Sequence, residues 1–269
     1  MVDSPVSRTA LITGASAGIG TSFAHVFAEK GFDLVLTARR ADRLGDLART
    51  ISATYGRRVH VVAADLADPA APALIEREVA ASGIAIDALV NNAGYGLPGN
   101  FLDCTWNEHR DFVQVMVTAI ADLTHRFLPG MIARRYGRVI NVASLAGLVP
   151  ATAGHTLYAA TKSLQIMFSQ SLALEVMSHN VHVTALCPGF THTEFHDVNG
   201  MRDQVSQLPW YMWMDADTVA RQGYDAVMRG DLVYVNGRVN RFIAFITRVT
   251  PQWFILRVVK RVARKFRRT

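Results

Sequence analysis

Short apolar runs alternate along the chain with longer stretches in which apolar residues recur every three to four positions. The apolar runs predict strands, and they span 9–13, 34–38, 59–64, 86–90, 139–143, 181–186 and 232–235. The amphipathic stretches predict helices, and the clearest span about 19–30, 107–135 and the region from 158 to about 179. Because strands that alternate with helices pair in parallel, the pattern predicts an α/β domain with a doubly wound parallel sheet and helices on both faces.

The charge pattern divides the chain in two. Residues 1–235 carry the strand–helix alternation without a repeat or a low-complexity linker, so we expect one domain there. Residues 232–269 hold ten Lys/Arg and no Asp/Glu. Without those ten, the chain's 28 basic residues leave 18 against 22 acidic ones, a net of −4. The overall charge of +6 therefore belongs to the end of the chain, and it does not indicate nucleic-acid binding by the domain.

The C-terminal tail (residues 236–269) alternates apolar groups with arginines and lysines, and Pro251 divides it. A basic amphipathic segment of this kind can lie on an anionic membrane surface. It can equally pack on its own domain or on a partner subunit, with its basic face in solvent. The sequence leaves both alternatives open.

Two cysteines, Cys104 and Cys187, are too few for a disulfide framework, which favours a reducing compartment. Asp3 and Pro5 interrupt the first residues, so we expect no signal peptide. The chain has no run of about 18 apolar residues, so we expect no membrane span. We therefore expect a cytoplasmic protein in which only the tail is a candidate for peripheral membrane contact.

A glycine-rich turn, Thr13-Gly14-Ala15-Ser16-Ala17-Gly18-Ile19-Gly20, joins the first strand to the first helix. Glycines let the backbone approach a pyrophosphate, and the helix N-terminus attracts its charge. The spacing is GxxxGxG rather than the commonest dinucleotide pattern, GxGxxG. An ordinary tight turn is the alternative, but the position between a strand and a helix favours a Rossmann-like dinucleotide site.

Tyr158 and Lys162 stand four residues apart in a predicted helix, so their side chains share a face. An unperturbed phenol titrates near ~10, and a nearby positive charge lowers that value towards the range of a useful base. Ser144, fourteen residues before Tyr158, adds a second hydroxyl. Together with the glycine turn, these residues predict a dinucleotide-dependent oxidoreductase in which a tyrosine passes the proton. A tyrosine and a lysine on an ordinary surface helix are the alternative.

These motifs occur in one order together with Asn91-Asn92-Ala93-Gly94 and Pro188-Gly189. In order and spacing they resemble the short-chain dehydrogenase/reductase family over roughly residues 8–235. The resemblance implies that Tyr158 is the proton donor or acceptor, that Lys162 holds the nicotinamide ribose and lowers the Tyr158 pKa, and that Ser144 binds the substrate oxygen. Two hydroxyl donors can stabilise the charge that hydride transfer leaves on a carbonyl oxygen.

The resemblance also implies which residues contact the cofactor. Those expected at its phosphates are Gly14, Ser16, Ile19 and Gly20. Those expected at the adenine and its ribose are Asp65, Leu66, Asn91, Ala93 and Gly94. Those expected at the nicotinamide and its ribose are Tyr158, Lys162, Pro188, Gly189 and Thr193.

Arg39 ends the second predicted strand, in Thr37-Ala38-Arg39-Arg40. At this place an acidic residue binds the 2′-hydroxyl of NAD, whereas an arginine accommodates the 2′-phosphate of NADP. Asp33 lies at the opposite end of the strand and cannot serve. Arg39 therefore predicts NADP as the cofactor, with a solvated surface arginine as the alternative.

Met116 departs from the family pattern. In the family an asparagine lies mid-helix, in a pattern like V-N-V-T, and it is thought to hold a water that links the lysine to solvent. This chain has Val115-Met116-Val117-Thr118, and methionine is a weak acceptor that cannot donate. Gln114 or Thr118 is a candidate to hold a substitute water, and Met116→Asn is expected to raise the rate of proton transfer. The alternative function is therefore a cofactor-binding protein with weak or no catalysis, such as a sensor or scaffold.

Aromatic and methionine side chains concentrate in residues 190–214. They predict an apolar lid over the substrate, or else ordinary core or interface packing. The side chains concerned are Phe190, Phe195, Trp210, Tyr211, Met212, Trp213 and Met214.

His192 and His196 flank Glu194, but this spacing alone is weak evidence for a metal site, so we expect none. Taken together, the chain is predicted to be an NADP(H)-dependent oxidoreductase. It would interconvert a carbonyl and an alcohol on an apolar small molecule. We also expect a homo-oligomer, a dimer or a tetramer.

Overall fold

The computed structural model describes residues 7–150, 153–154, 156–194, 209–251, 253–255 and 257. Its main strands are β1 (Thr9–Thr13), β2 (Asp33–Ala38), β3 (Val59–Ala63), β4 (Ala88–Asn91), β5 (Gly137–Val142) and β6 (Val181–Cys187). Two short strands follow, β7 (Phe190–Thr191) and β8 (Trp213–Met214), and then β9 (Val233–Val235). Seven of these form one parallel sheet in the order β3-β2-β1-β4-β5-β6-β9, while β7 and β8 pair with each other.

Helices connect the strands and cover both faces of the sheet. They are α1 (Gly18–Glu29), α2 (Ala41–Tyr55), α3 (Ala71–Ala81), α4 (Trp106–Val113), α5 (Ala119–Ala133), α6 (Thr156–Val176), α7 (Ala216–Arg229) and α8 (Arg238–Val249). Each predicted strand is present, with its ends within about two residues of the predicted ones. The predicted Rossmann-like, doubly wound fold is therefore confirmed.

The central strands are buried on both sides, because successive side chains of a strand point to opposite faces of the sheet. Ile12 of β1 belongs to a cluster with Phe23 and Phe27 of α1 on one face. Its neighbour Leu11 belongs to a second cluster, with Leu123 of α5, on the other face. This two-sided burial explains why the strands read as continuous apolar runs rather than as alternating ones.

The single long helix predicted over 107–135 is interrupted in the structure. α4 ends at Val113, a π-helical turn (Gln114–Thr118) follows, and α5 begins at Ala119. A π turn inserts an extra residue into a helix, which the spacing of apolar residues alone does not reveal. Met116 lies in this turn, so the interruption falls where the chain departs from the family pattern.

The strand order reverses between β1 and β4. In open α/β sheets, ligands bind outside the carboxyl ends of the strands at such a point. The loops that follow β1, β2, β4, β5 and β6 therefore frame the candidate site.

Part of the predicted lid and of the tail falls outside the described residues, including Phe195, His196 and residues 258–269. The first helix of the tail, α8, is anchored on the domain. Asn240 is buried, and its Nδ2 donates to the Asn236 carbonyl at 2.8 Å. In the described part of the chain, no helix is both long enough and apolar enough to cross a membrane.

Candidate active site

A cavity of about 770 Å³ opens at the carboxyl ends of the central strands. Its walls come from the glycine turn, from the loops after β2, β3, β4, β5 and β6, and from the start of α6. The volume is typical of cofactor and ligand pockets, which commonly occur at the point where the strand order reverses.

The glycine turn forms one wall of the cavity. Gly14 and Gly18 have φ angles of +66° and +55°, a left-handed conformation that glycine adopts without strain. Gly14, Ser16 and Ile19 line the cavity. Gly20 does not line it. The Cα of Gly20 packs closely against the Gly14 carbonyl, where any side chain would clash. Gly20 therefore shapes the turn by packing rather than by facing a phosphate.

The loop after β4 brings Ala93 and Gly94 to the cavity, but not Asn91. Asn91 is buried, and its Nδ2 donates to Asn141 Oδ1 at 2.8 Å. The structure thus places Asn91 in a polar network inside the sheet rather than at the expected ribose position. Its neighbour Asn92 lines the cavity instead.

Charged side chains edge the cavity beyond β2 and β3. Asp65 and Leu66 line it, and the Asp65 carboxylate accepts the Ala67 N–H at 3.0 Å. Arg39 is exposed and also lines the cavity. These positions agree with an adenosine end of the site between β2 and β3.

Arg40, which the sequence analysis did not single out, is held in place by several contacts. Its Nη2 donates to Ser16 Oγ at 3.1 Å, and its Nη1 pairs with Glu194 at 3.1 Å. Arg43 pairs with the same carboxylate at 2.8 Å, and the two guanidiniums hold the pKa of Glu194 below its usual range. Arg39 and Arg40 both line the cavity, Arg40 beside Ser16, and Arg43 is linked to Arg40 through Glu194. Guanidinium groups of this kind suit a phosphate, so these residues fit a 2′-phosphorylated cofactor.

Ser144, Tyr158 and Lys162 meet on another wall of the cavity. β5 ends just before Ser144, and the first turns of α6 carry the other two residues. The side chains of Ser144 and Tyr158 are hydrogen-bonded. The Lys162 ammonium donates to the Val142 carbonyl at 2.7 Å and lies 5.7 Å from the centre of the Tyr158 ring.

Burial governs the protonation of these groups. It raises the pKa of Tyr158 to about 12, although the hydrogen bond with Ser144 acts in the opposite direction. It lowers the pKa of Lys162 to about 7, because a buried ammonium loses its hydration. Lys162 is not among the groups that shift the Tyr158 pKa, so the expected lowering by Lys162 is not found. A phenol with this pKa stays protonated at neutral pH and gives up its proton only to a stronger base.

The segment after β6 completes the cavity. It contributes Pro188, Gly189, Phe190, Thr191 and Thr193. Asn240 of α8 packs against Gly189, where a larger side chain would clash. His192 stacks on Trp213 with a ring separation of 4.6 Å, so an aromatic pair supports this segment from the part of the predicted lid that the structure describes.

The sequence and the fold of the chain both match known proteins. A family model described as short chain dehydrogenase matches residues 8–203. The chain belongs to the short-chain dehydrogenase/reductase family. This membership makes the protein an oxidoreductase of the dehydrogenase/reductase type.

Three similar proteins illustrate this family membership. Oxidoreductase UcpA from Escherichia coli (strain K12) is 37% identical over 189 residues, which cover 69% of this chain and 70% of UcpA. Sulfoacetaldehyde reductase 2 from Chromohalobacter salexigens is 32% identical over 222 residues, or 82% of this chain and 85% of that relative. A short-chain dehydrogenase from Sphingobium yanoikuyae, solved in complex with NADPH, is 31% identical with a TM-score of 0.79 and covers 91% of this chain and 97% of its own.

This short-chain dehydrogenase/reductase uses Met116 as a packing residue. The side chain is fully buried, and a methyl group placed on Gly94 would lie 2.9 Å from its sulfur. The Met116 side chain thus packs against the loop that follows β4. It makes no hydrogen bond to Lys162, whose ammonium donates instead to Gln165 Oε1 at 3.1 Å.

Gln165 is the residue that the sequence analysis missed here. Gln114 and Thr118 stay candidates to hold a substitute water, but the amide that contacts Lys162 directly comes from α6. One signal could have found it. Gln165 follows Lys162 by three residues, so the two share a helix face, and that face is buried.

Proposed function

We propose that this protein is an NADP(H)-dependent oxidoreductase that interconverts a carbonyl and an alcohol on an apolar small molecule. The observation that carries the proposal is the meeting of Ser144, Tyr158 and Lys162 on one wall of the cavity. Two hydroxyls and an ammonium can stabilise negative charge on a carbonyl oxygen as it is reduced. When bound, the nicotinamide supplies or accepts the hydride.

Tyr158 is the group that passes the proton. Because its pKa is about 12, it is protonated at neutral pH and can donate from Oη to the substrate oxygen as that oxygen becomes an alkoxide, a stronger base. Ser144 donates a hydrogen bond to the same oxygen. In the oxidative direction Tyr158 would accept the proton of the alcohol, and for this it would first have to lose its own.

NADP fits the site better than NAD. Arg39 and Arg40 would share the 2′-phosphate beside Ser16, and such charge-assisted contacts discriminate strongly against a bare hydroxyl. The NADPH held by the Sphingobium yanoikuyae relative supports the same choice. The other residues proposed to hold the cofactor are Gly14, Ile19, Asp65, Leu66, Asn92, Ala93, Gly94, Lys162, Pro188, Gly189 and Thr193.

An apolar substrate fits the part of the cavity that surrounds Tyr158. Apolar and aromatic side chains line the cavity together with the candidate catalytic residues. They are Tyr95, Leu97, Leu145, Val149 and Phe190. Burial of an apolar substrate against them would contribute most of its binding energy.

The test is a substrate screen on the full chain. NADPH absorbance is followed with a panel of bulky apolar ketones and a matched panel of small polar carbonyls, and the alcohol is identified by mass spectrometry. We expect turnover that is higher for the apolar panel. Tight NADPH binding with no turnover in either panel would support the second candidate, a cofactor-binding sensor or scaffold.

Met116 is the feature that favours this second candidate, because its side chain cannot hold a relay water. The contact between Gln165 and Lys162 weighs against it, since the lysine is held without help from position 116. We therefore keep the catalytic function as the proposal.

We also propose a homo-oligomer built on α6. Leu164, Met167 and Leu174 are 47%, 61% and 61% exposed, on the side of the helix that faces away from Lys162 and Gln165. An exposed apolar stripe at helical spacing is typical of a contact surface, and the same stripe on a second copy would cover it. A dimer through this face is the smallest assembly that buries it.

The C-terminal tail is proposed to bind an anionic bilayer. α8 exposes an apolar stripe formed by Phe242, Phe245, Ile246 and Val249. Arginines on the same helix are exposed beside it, and the whole of 232–269 has ten cations and no carboxylate. Apolar groups flanked by cations insert at the boundary of anionic lipids. A second copy of the tail fits less well, because it would bring ten further cations against the first ten.

Vesicle sedimentation tests this surface. The full chain is mixed with phosphatidylcholine vesicles, with or without phosphatidylglycerol, and compared with the double variant Phe242→Ser/Phe245→Ser. We expect the wild type to sediment only with the anionic vesicles and the double variant to stay in the supernatant. Absence of wild-type binding, or equal binding by the double variant, contradicts the proposal.

A further inference from the structure

Two protein acceptors hold the ammonium of Lys162 inside the domain. Its Nζ donates to the Val142 carbonyl at 2.7 Å and to Gln165 Oε1 at 3.1 Å. An ammonium has three donors, so one is available to the cavity that Lys162 lines. The two internal bonds therefore determine where the third donor points.

The amide of Gln165 is itself fixed at both ends. Gln165 is 1% exposed, and its Nε2 donates to the Met116 carbonyl at 2.7 Å. The chemistry of the partners settles the orientation of this amide, since an ammonium only donates and a carbonyl only accepts. The acceptor at Met116 belongs to the main chain of the π turn, so the methionine side chain takes no part in the bond.

We propose that Gln165 is a positioning residue for the active-site lysine, which it holds by bridging the Lys162 ammonium to the main chain of the π turn. Through this bridge, α6 and the π turn fix the ammonium relative to Tyr158. The inference rests on the proposed function only for the role of Lys162 in the reaction, because the bridge itself can be tested without substrate or cofactor.

Among the residues that the structure describes, two titratable groups face Lys162. Tyr158 lies on the same helix, and the Cys187 thiol faces it from β6. β5 contributes the Val142 carbonyl, which accepts from Lys162 directly. The π turn contributes the Met116 carbonyl, which is linked to Lys162 through Gln165. Loss of the Gln165 acceptor should therefore destabilise the ammonium and lower the Lys162 pKa further. A carboxylate at the same position should raise it.

The bridge can be tested by following the titration of Lys162 directly. The chain has four lysines, at 30, 162, 260 and 265, so selective ¹³C labelling of lysine gives few signals, and Lys162→Met assigns the relevant one. We expect its titration midpoint to fall by about one pH unit in Gln165→Met and to rise in Gln165→Glu. Circular dichroism on the same samples shows whether each variant is folded. Because the two variants should shift the Lys162 midpoint in opposite directions, either one alone still tests the bridge if the other does not fold.

Two matched controls separate positioning from general packing. Ser169 is buried one turn further along α6 and donates to the Gln165 carbonyl at 2.6 Å without contacting Lys162. Ser169→Ala should reduce stability and leave the Lys162 titration unchanged. Met116→Leu keeps the main-chain carbonyl and should also leave it unchanged.

The outcome that overturns the inference is a Lys162 midpoint that stays the same in both Gln165 variants, or one that moves as far in Ser169→Ala. Failure of the proposed function looks different. In that case the Lys162 titration shifts as expected, but the wild-type chain reduces no carbonyl in the substrate screen.

Discussion

Arg40 and Arg43 share the carboxylate of Glu194 beside the predicted phosphate site. A 2′-phosphate would compete with that carboxylate for Arg40, so Arg40→Ala should weaken NADPH binding far more than NADH binding. A charge-assisted hydrogen bond contributes about 1.5–3 kcal/mol, or roughly 10-fold or more in affinity. Glu194→Gln, which removes the competitor, should tighten NADPH alone. Fluorescence titration of both cofactors measures this, and equal losses for the two cofactors in Arg40→Ala would show that the arginine does not read the phosphate.

Lys162 should make the stability of the cofactor-free protein depend on pH. Its pKa is about 7 in the fold and near the ordinary lysine value of 10.5 when unfolded, so the unfolded chain binds more protons between these values. Burial of the charged lysine therefore lowers the free energy of unfolding below about pH 7. As the pH rises above about 7 the lysine becomes neutral in the fold, and the free energy of unfolding increases by at most about 1.4 kcal/mol per pH unit. Urea denaturation between pH 7 and 9 should show this rise in the wild type and a flatter profile in Lys162→Met. Identical slopes would mean that Lys162 is charged in the fold.

Position 116 should tolerate an asparagine poorly. Met116 fills the space beneath Gly94, and Gln165 already holds the lysine. Met116→Asn should therefore lower stability, because a buried amide needs hydrogen-bond partners that the methionine side chain does not need. Contrary to the expectation from the sequence alone, it should not raise turnover, because Gln165 already contacts the lysine. Rate and melting temperature are measured on the same preparation. A faster, fully stable variant would show that a relay through this position limits the wild type.

The sequence predicted some of these residues and missed others for physical reasons. Ser144, Tyr158 and Lys162 could be named because the chemistry restricts their types and spacing. Asn91 belongs to the family motif but lies one position away from the cavity, since strand β4 turns its side chain inward. Gln165 has no motif, and only the packing of α6 against the π turn reveals it.

At the scale of elements, α6 has two faces with different tasks. One carries Lys162 and Gln165 towards the site, and the other exposes Leu164, Met167 and Leu174. Met167→Glu should dissociate the proposed oligomer, because burying a carboxylate in an apolar contact is costly, while NADPH binding should persist. Light scattering gives the mass. A wild type that is monomeric, or a Met167→Glu variant of unchanged mass, contradicts the proposal.

The elements themselves were largely predictable. Strands buried on both faces produce apolar runs that stand out in any window, and each was found within about two residues. The π turn was not predictable, because the spacing of apolar residues alone does not show where a helix contains one extra residue. This turn matters for the site because it presents the Met116 carbonyl to Gln165.

At the scale of the whole molecule, the parallel sheet brings Gly14, Ser144 and Pro188 from distant parts of the chain together at the carboxyl ends of its strands. That convergence follows from the order of strands, so a correct fold prediction already implies a common site. The charge separation between the domain and the tail is a second property of the whole chain. If the basic tail binds an anionic surface, this charge separation would turn the net negative domain away from that surface.

The most direct test of the catalytic proposal compares the wild type with Tyr158→Phe. The substitution removes the phenol oxygen and keeps the ring, so cofactor binding should change little while proton transfer is lost. NADPH oxidation is followed for both proteins with the best ketone from the apolar panel, and NADPH affinity is titrated in parallel. We expect reduction by the wild type, a loss of about 10²-fold or more in Tyr158→Phe, and similar NADPH affinities of the two proteins. Comparable turnover by the two proteins would contradict the role given to Tyr158.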